Sequence, residues 1–273
     1  MLDLSYFGKP TYLGANLAQL SFAVGMLTFI PIFLQSDLGH PSAAAGLMML
    51  PMVVPVFIVP RIVDRHLAHR LSGRALLTAG LFLVSLGLFW LAFVVREADY
   101  GPLIGGMLLA GIGAGFLNGE TTKVGMTVIP RERSGMASGV ATTVRFGGLV
   151  IGIAALGAVL YGRVAFTVAD ALPHVSAADR LALVHDITAG NVSGITLAGH
   201  DGSRIGALAV DSFTSGYHAL FLAGALFTLF STILTWRLVS PAETQPVSAR
   251  SQCASDQYPV NIHECSSYKP RDR

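Results

Sequence analysis

The fold class this sequence predicts is all-α: a polytopic membrane protein with six transmembrane helices in a 3+3 inverted-repeat bundle. Three observations predict it. Charged residues make up 12% of the chain and hydrophobic ones 52%, whereas soluble domains carry roughly 25% charge. Mean hydropathy is +0.60 over 273 residues. The apolar residues stand in long runs separated by short charged turns, as spans and loops do. The formal net charge of +2 is too small to imply a nucleic-acid partner, and no basic run forms a binding arm. Cys253 and Cys265 both lie in the polar tail and suggest neither a disulfide framework nor a metal site.

Residues 1–10 form a short polar cytoplasmic segment. The first span, about 11–35, holds no charge and has no basic region before it, so it is not a signal peptide. Asp37 and Gly39 mark a tight turn. The second span, 43–60, contains Pro51 and Pro55, which predict a kink. A basic loop follows, with Arg61, Asp64, Arg65, Arg70 and Arg74. The third span is 75–95 and the fourth 101–119. A second charged loop carries Glu120, Lys123, Arg131 and Arg133 before the fifth span, 135–161. Residues 163–215 form a polar outer loop, the sixth span is 216–236, and 237–273 is a polar tail expected to be disordered. The first three spans run opposite to the last three, which is the inverted repeat.

Lysine and arginine concentrate in the loops after the second and fourth spans. The positive-inside rule then puts both termini in the cytoplasm. Inside the outer loop, Ser176 and Asp179 resemble a capping box. Leu181, Val184 and Ile187 share a helical face, and Gly190 is a stop signal. This predicts an amphipathic helix over about 177–189 on the outer surface. Asn191-Val192-Ser193 is a glycosylation sequon, relevant only in a eukaryotic secretory pathway.

Gly111, Gly115 and Gly119 fall on one face of the fourth span and let a partner backbone approach closely. Gly148 and Gly152, with Ala154 and Ala158, repeat the device in the fifth span. Helix packing alone accounts for all of them. Arg145 lies roughly 13 Å into the fifth span, where insertion of a cation costs at least ~2.5 kcal/mol. It either faces a water-filled cavity, pairs with an acid such as Glu120, or snorkels to the interface. Asn118 and Glu120 end the fourth span; Glu120 is a candidate proton carrier or a solvated helix end. Asp64, Arg65 and Arg61 are candidates for a conformational latch, or merely enforce orientation. Trp90, Tyr100 and Trp236 fit an aromatic belt. No catalytic or metal-ligating constellation is present, so the chain does not read as an enzyme.

The run Val128-Ile129-Pro130-Arg131-Glu132-Arg133-Ser134-Gly135-Met136-Ala137-Ser138-Gly139, then Thr142-Thr143-Val144-Arg145 and Gly147-Gly148, resembles the penultimate span of the fourteen-span drug:proton antiporters. These are the EmrB/QacA-type branch of the major facilitator superfamily. Leu38-Gly39-His40-Pro41-Ser42, Ala45-Gly46-Leu47 and Leu50-Pro51 look like the start of that branch's tenth span. Pro60-Arg61-Ile62-Val63-Asp64-Arg65 is similar to the superfamily's loop motif, without its usual glycine after the proline.

The resemblance covers roughly residues 1–240 and implies spans nine to fourteen, the carboxy-terminal half of such a transporter. It implies export of amphipathic small molecules from the plasma membrane, driven by the proton gradient with no other cofactor, around a midplane cavity lined by spans one, two, four and five. The missing amino-terminal half, or a second copy of this chain, is the implied partner within the lipid bilayer. The rival reading is a non-transporting scaffold or regulatory remnant that pairs with another helix bundle.

Overall fold

The computed structural model describes residues 8–25, 29–36, 41–68, 70–97, 99–118, 120–127, 129, 134–191, 202–241, 243 and 244. Every regular element among them is helical. In chain order these are α1 (Pro10–Gly25), α2 (Ile30–Ser36), α3 (Ser42–Met48), α4 (Leu50–Ile62), α5 (Gly73–Val94), α6 (Tyr100–Leu117), α7 (Glu120–Met126), α8 (Ser134–Ala171), α9 (Ala177–Thr188) and α10 (Gly202–Leu238). Four stretches among the described residues are long and apolar enough to cross a membrane: Gly73–Glu97, Tyr100–Met126, Ser134–Ala171 and Gly202–Leu238. The expected first span is described as α1 and α2, and the expected second as α3 and α4.

The second span breaks rather than kinks. Pro51 and Pro55 have no N–H to give, and the chain turns at Met49 between α3 and α4. The Met52 N–H goes to the Met49 carbonyl at 3.0 Å. The freed Met48 carbonyl accepts instead from the Tyr100 hydroxyl at 2.7 Å. A side chain from the next helix pair thus satisfies backbone that lipid could not. The expected loop after residue 60 is helical as far as Leu67: α4 runs on through Pro60 into a π-turn, Val63–Leu67, closed by Ala68 N–H to the Val63 carbonyl at 2.8 Å.

α6 is gripped from two sides by backbone. A Cβ on Gly111 would lie 2.3 Å from the Met52 carbonyl oxygen, and one on Gly115 would lie 2.9 Å from that of Pro55, both in α4. On its other side, a Cβ on Gly113 would meet the Gly80 carbonyl at 2.6 Å. One on Gly87 would meet the Gly106 carbonyl at 2.8 Å. The expected Gly111–Gly115 face therefore packs on α4, while Gly119 lies outside the described residues. The α5 contact uses glycine pairs seven residues apart, Gly80 with Gly87 and Gly106 with Gly113, a spacing that keeps each pair on one face.

α5 also packs on α10, α8 packs on both α1 and α10, and α1 packs on α10 and α7. Gly148 and Gly152 are on the buried side of α8. Ala154 and Ala158 are exposed and lie outside the packing described here.

The largest departure is at the end of the bundle opposite Asp64 and Lys123. The fifth and sixth spans were expected as 135–161 and 216–236, joined by a polar loop. Instead α8 and α10 run to 38 and 37 residues, about 55 Å each, beyond the ~30 Å of a hydrocarbon core. Their extensions pack together through Val164, Val168, Ile205, Ala209 and Phe213, and α9 closes over them with Leu183, Val184 and Ile187.

The predicted helix over 177–189 exists, capped as expected: the Ser176 hydroxyl accepts from Asp179 N–H at 3.1 Å. Gly190 ends it at φ +90°, a left-handed conformation that favours glycine. Val184 and Ile187 are buried as expected, but Leu181 is 60% exposed and Leu183 is buried in its place. Residues 1–7, 130–133, 192–201 and 245–273 lie outside the described residues, with Arg131, Arg133, the last two residues of the sequon and both cysteines among them.

The two-sided grip on α6 predicts a position-specific effect. Gly111→Val should lower the unfolding free energy in detergent by about 2 kcal/mol or more through overpacking. Gly139→Ala, inside α8 with nothing within 4 Å of its Cβ, should instead raise it by about 0.5–1 kcal/mol through helix propensity. Thermal unfolding followed by circular dichroism reads both, and equal effects would refute the packing described.

Candidate functional site: a polar recess among α1, α7 and α8

α1 is apolar overall yet carries four buried polar side chains, each with a different neighbour; Thr11 accepts from the Ser240 N–H at 3.1 Å. Asn16 donates through Nδ2 to the Tyr12 carbonyl at 2.9 Å. Gln19 accepts from the Thr121 hydroxyl of α7. Ser21 donates to the Ser231 hydroxyl of α10 at 2.6 Å. Asn16 is 7% exposed and its Oδ1 has no hydrogen-bond partner. The fourth span breaks where Thr121 is needed: α6 ends at Leu117, and Asn118 takes an extended conformation (φ −68°, ψ 102°). The Thr121 hydroxyl also lies 3.2 Å from the Leu117 carbonyl that the break leaves free.

These side chains line a shallow open recess with room for about one water molecule. Tyr12, Asn16 and Gln19 come from α1, Thr121 and Met126 from α7, and Ala141 from α8. Among the described residues no charged side chain lines it. Arg145, one turn beyond Ala141 on α8, places its guanidinium 5.0 Å from the Phe22 ring centroid. Phe22 is itself one turn beyond Gln19 on α1. The recess therefore has neutral hydrogen-bonding walls near the basic end and a cation deeper in.

Glu120 is buried, and it does not meet Arg145. Lys123 holds it at 2.7 Å and also pairs with Asp64 at the π-turn after α4. The ion-pair alternative for Arg145 and Glu120 is thus corrected: among the described residues no acid pairs with Arg145. Glu120 follows Asn118 and Gly119 directly, and the break after α6 turns it toward Lys123 three residues on. Among the described residues Asp64 is the one latch candidate that makes an ion pair; Arg61 and Arg65 are exposed.

Residues 3–153, more than half of the chain, match the family model of the Major Facilitator Superfamily. The chain belongs to the Major Facilitator Superfamily. Multidrug resistance protein Stp of Mycobacterium tuberculosis is 39% identical over 163 residues, 59% of this chain and 30% of that protein. The probable actinorhodin transporter of Streptomyces coelicolor is 27% identical over 169 residues, 59% of this chain and 29% of its own. Fatty acid resistance protein FarB of Neisseria gonorrhoeae is 26% identical over 255 residues, 88% of this chain and 48% of its own. The chain spans less than half the length of these relatives.

In this superfamily member the fold brings together Glu120 and Asp64, through Lys123, and sets Arg145 above the recess. It leaves Arg61 and Arg65 apart from both. The sequence reading missed Asn16, Gln19 and Thr121. For Asn16 and Gln19 the signal was present: uncharged polar residues three apart in a run without charge, on the side of α1 that also carries Tyr12; Thr121, beside Glu120, gave no such signal.

Burial decides what each ion pair contributes. Lys123→Met leaves Glu120 buried and unpaired and should cost about 2 kcal/mol, whereas Asp64→Asn, whose side chain is 54% exposed, should cost less than about 1 kcal/mol. Glu120→Gln should restore much of the first loss. Unfolding titrations of the three variants in detergent check the order, and equal costs for Lys123→Met and Asp64→Asn would contradict it.

Proposed function

We propose that this chain is a six-span bundle of an efflux transporter that exports amphipathic small molecules in exchange for protons by alternating access. The observation that carries the reading is the polar recess opening among α1, α7 and α8 inside a bundle of this family, since spanning helices otherwise keep uncharged polar side chains few and paired. The names of the similar proteins point the same way, as resistance proteins or as a transporter.

The helix contacts support a 3+3 inverted repeat. Exchanging α1 with α6, α4 with α8 and α5 with α10 turns the α1–α8 contact into α6–α4, and the α1–α10 contact into α6–α5. The α5–α10 contact maps onto itself. The α8–α10 contact lacks a comparable α4–α5 partner, and the slighter α1–α5 contact lacks an α6–α10 one; the former is reinforced by the extensions under α9. In this reading both termini are cytoplasmic, the membrane is the plasma membrane, and α9 lies outside.

The faces of α4 and α8 that meet no other helix are apolar, with Phe57 and Ile58 on one and Val150 and Ile151 on the other. A second bundle, either an amino-terminal half or another copy, fits between them and closes the recess into a midplane cavity. The Asp64–Lys123–Glu120 group is the conformational latch: it ties the end of α4 to α7 and parts when those helices separate. Glu120 is the proton carrier of this reading.

Two measurements test the reading. In a chain with both native cysteines replaced by serine, a membrane-impermeant maleimide on intact cells should label a cysteine at Ala178 and not one at His66; the reverse pattern would overturn the orientation. In a drug-hypersensitive host, the chain alone or with an amino-terminal bundle from a relative should lower accumulation of at least one amphipathic drug, and an uncoupler should abolish the effect. No change in either setting would sink the transport reading.

A further inference from the structure

We propose that Val239, Ser240 and Thr244, in the segment after α10, form a conformational strap that closes the basic end of the bundle and holds α7 where Lys123 bridges Glu120 and Asp64. The strap involves no residue of the recess and goes beyond the transport reading. Pro241 keeps α10 from running on, because the residue before a proline is pushed out of the helical region; Ser240 accordingly stands outside the helix. The chain then crosses the ends of two other helices. Val239 is 1% exposed and sits against Gly14 of α1, where a Cβ would lie 2.7 Å from its Cγ2. The Ser240 N–H donates to the buried Thr11 hydroxyl oxygen at 3.1 Å.

Thr244 completes the crossing at α5. The first N–H groups of a helix have no partner within it. Ser72 takes one of them, its hydroxyl oxygen accepting from the Ala75 N–H at 3.3 Å. Thr244 takes two more: its carbonyl accepts from the Gly73 N–H at 2.9 Å and its hydroxyl oxygen from the Arg74 N–H at 3.3 Å. The same hydroxyl donates to the Ser240 carbonyl at 2.9 Å, which closes a turn between the two residues. Gly73 is the joint. A Cβ there would lie 3.3 Å from Thr244 Cβ and 2.5 Å from Val124 Cγ2, so the strap, α5 and α7 meet at a residue without a side chain. Val124 is 3% exposed and directly follows Lys123. α5 otherwise touches α1 and α7 only lightly. The strap's hydrogen bonds lie at helix ends, where water can replace each of them. It therefore parts without unwinding a spanning helix, and the Gly73–Val124 contact then loses its backing. Because Thr244 and Val124 bear on one residue, the coupling runs both ways: loosening α7 loosens the strap.

The test uses the full chain in nanodiscs, with Cys253 and Cys265 replaced by serine, and reads how fast single cysteines react with a water-soluble maleimide. Val239→Cys and Val124→Cys should each react about tenfold or more slowly than Ala178→Cys, an exposed position on α9. Thr244→Val keeps the shape of the side chain and removes the hydroxyl. It should speed both buried reporters about fivefold, whereas Thr244→Ser should leave them unchanged. Lys123→Met, at the other end of the coupling, should speed Val239→Cys about twofold or more. Leu91→Cys, 0% exposed in the core, should stay unreactive in every variant. Fast reaction of Val239→Cys with Thr244 in place, indifference of Val124→Cys to Thr244→Val, or indifference of Val239→Cys to Lys123→Met would each overturn the proposal. So would Leu91→Cys reacting in step with Val239→Cys, since the segment would then be inseparable from the core. Efflux is not read, so the outcome is independent of the transport reading.

Discussion

Gly111 and Gly113 face opposite ways on α6, and each meets a neighbour's backbone so closely that no Cβ fits. In water such contact would be one packing detail among many. In hydrocarbon, apolar side chains gain little by leaving lipid for one another, so close backbone approach and hydrogen bonding must hold the helices together. α6 is thereby fixed between α4 and α5, and everything at its basic end follows from that position. The break at Asn118, the start of α7 and the direction of Thr121 are all set by where α6 stops.

The breaks are satisfied locally. Tyr100 completes the backbone at Met48, and Thr121 approaches the carbonyl at Leu117 while serving Gln19. Each interruption therefore ties one helix pair to another and does not leave loose polar backbone in lipid. The helices that carry the recess differ in kind. α1 and α7 supply the hydrogen-bonding walls, and α8 supplies a smooth alanine wall with one cation beyond it. A neutral polar chamber below a fixed charge follows from that division.

At the far end, α8 and α10 continue past membrane length because Val164, Val168, Ile205 and Phe213 find one another beneath α9. The aromatic group of Phe33, Phe213 and Tyr217 joins this extension to α2, with the Tyr217 hydroxyl donating to the Phe29 carbonyl at 3.2 Å. The outer segment is thus part of the bundle's core. Its polar composition hid this from the sequence, because two exposed residues for each buried one lower mean hydropathy without breaking the helical period.

The residues by themselves determined the helical class, the membrane environment, the Gly111–Gly115 face, the cap at Ser176 and the stop at Gly190, since each depends on composition or on neighbours within a few positions. The tertiary structure alone decided that Glu120 turns to Lys123 and not to Arg145, that Leu183 replaces Leu181 on the buried face, and that Asn16, Gln19 and Thr121 share one recess. Those outcomes depend on which helices meet and on where α6 breaks. Hydrophobic period says which side of a helix is buried, but not what lies opposite it.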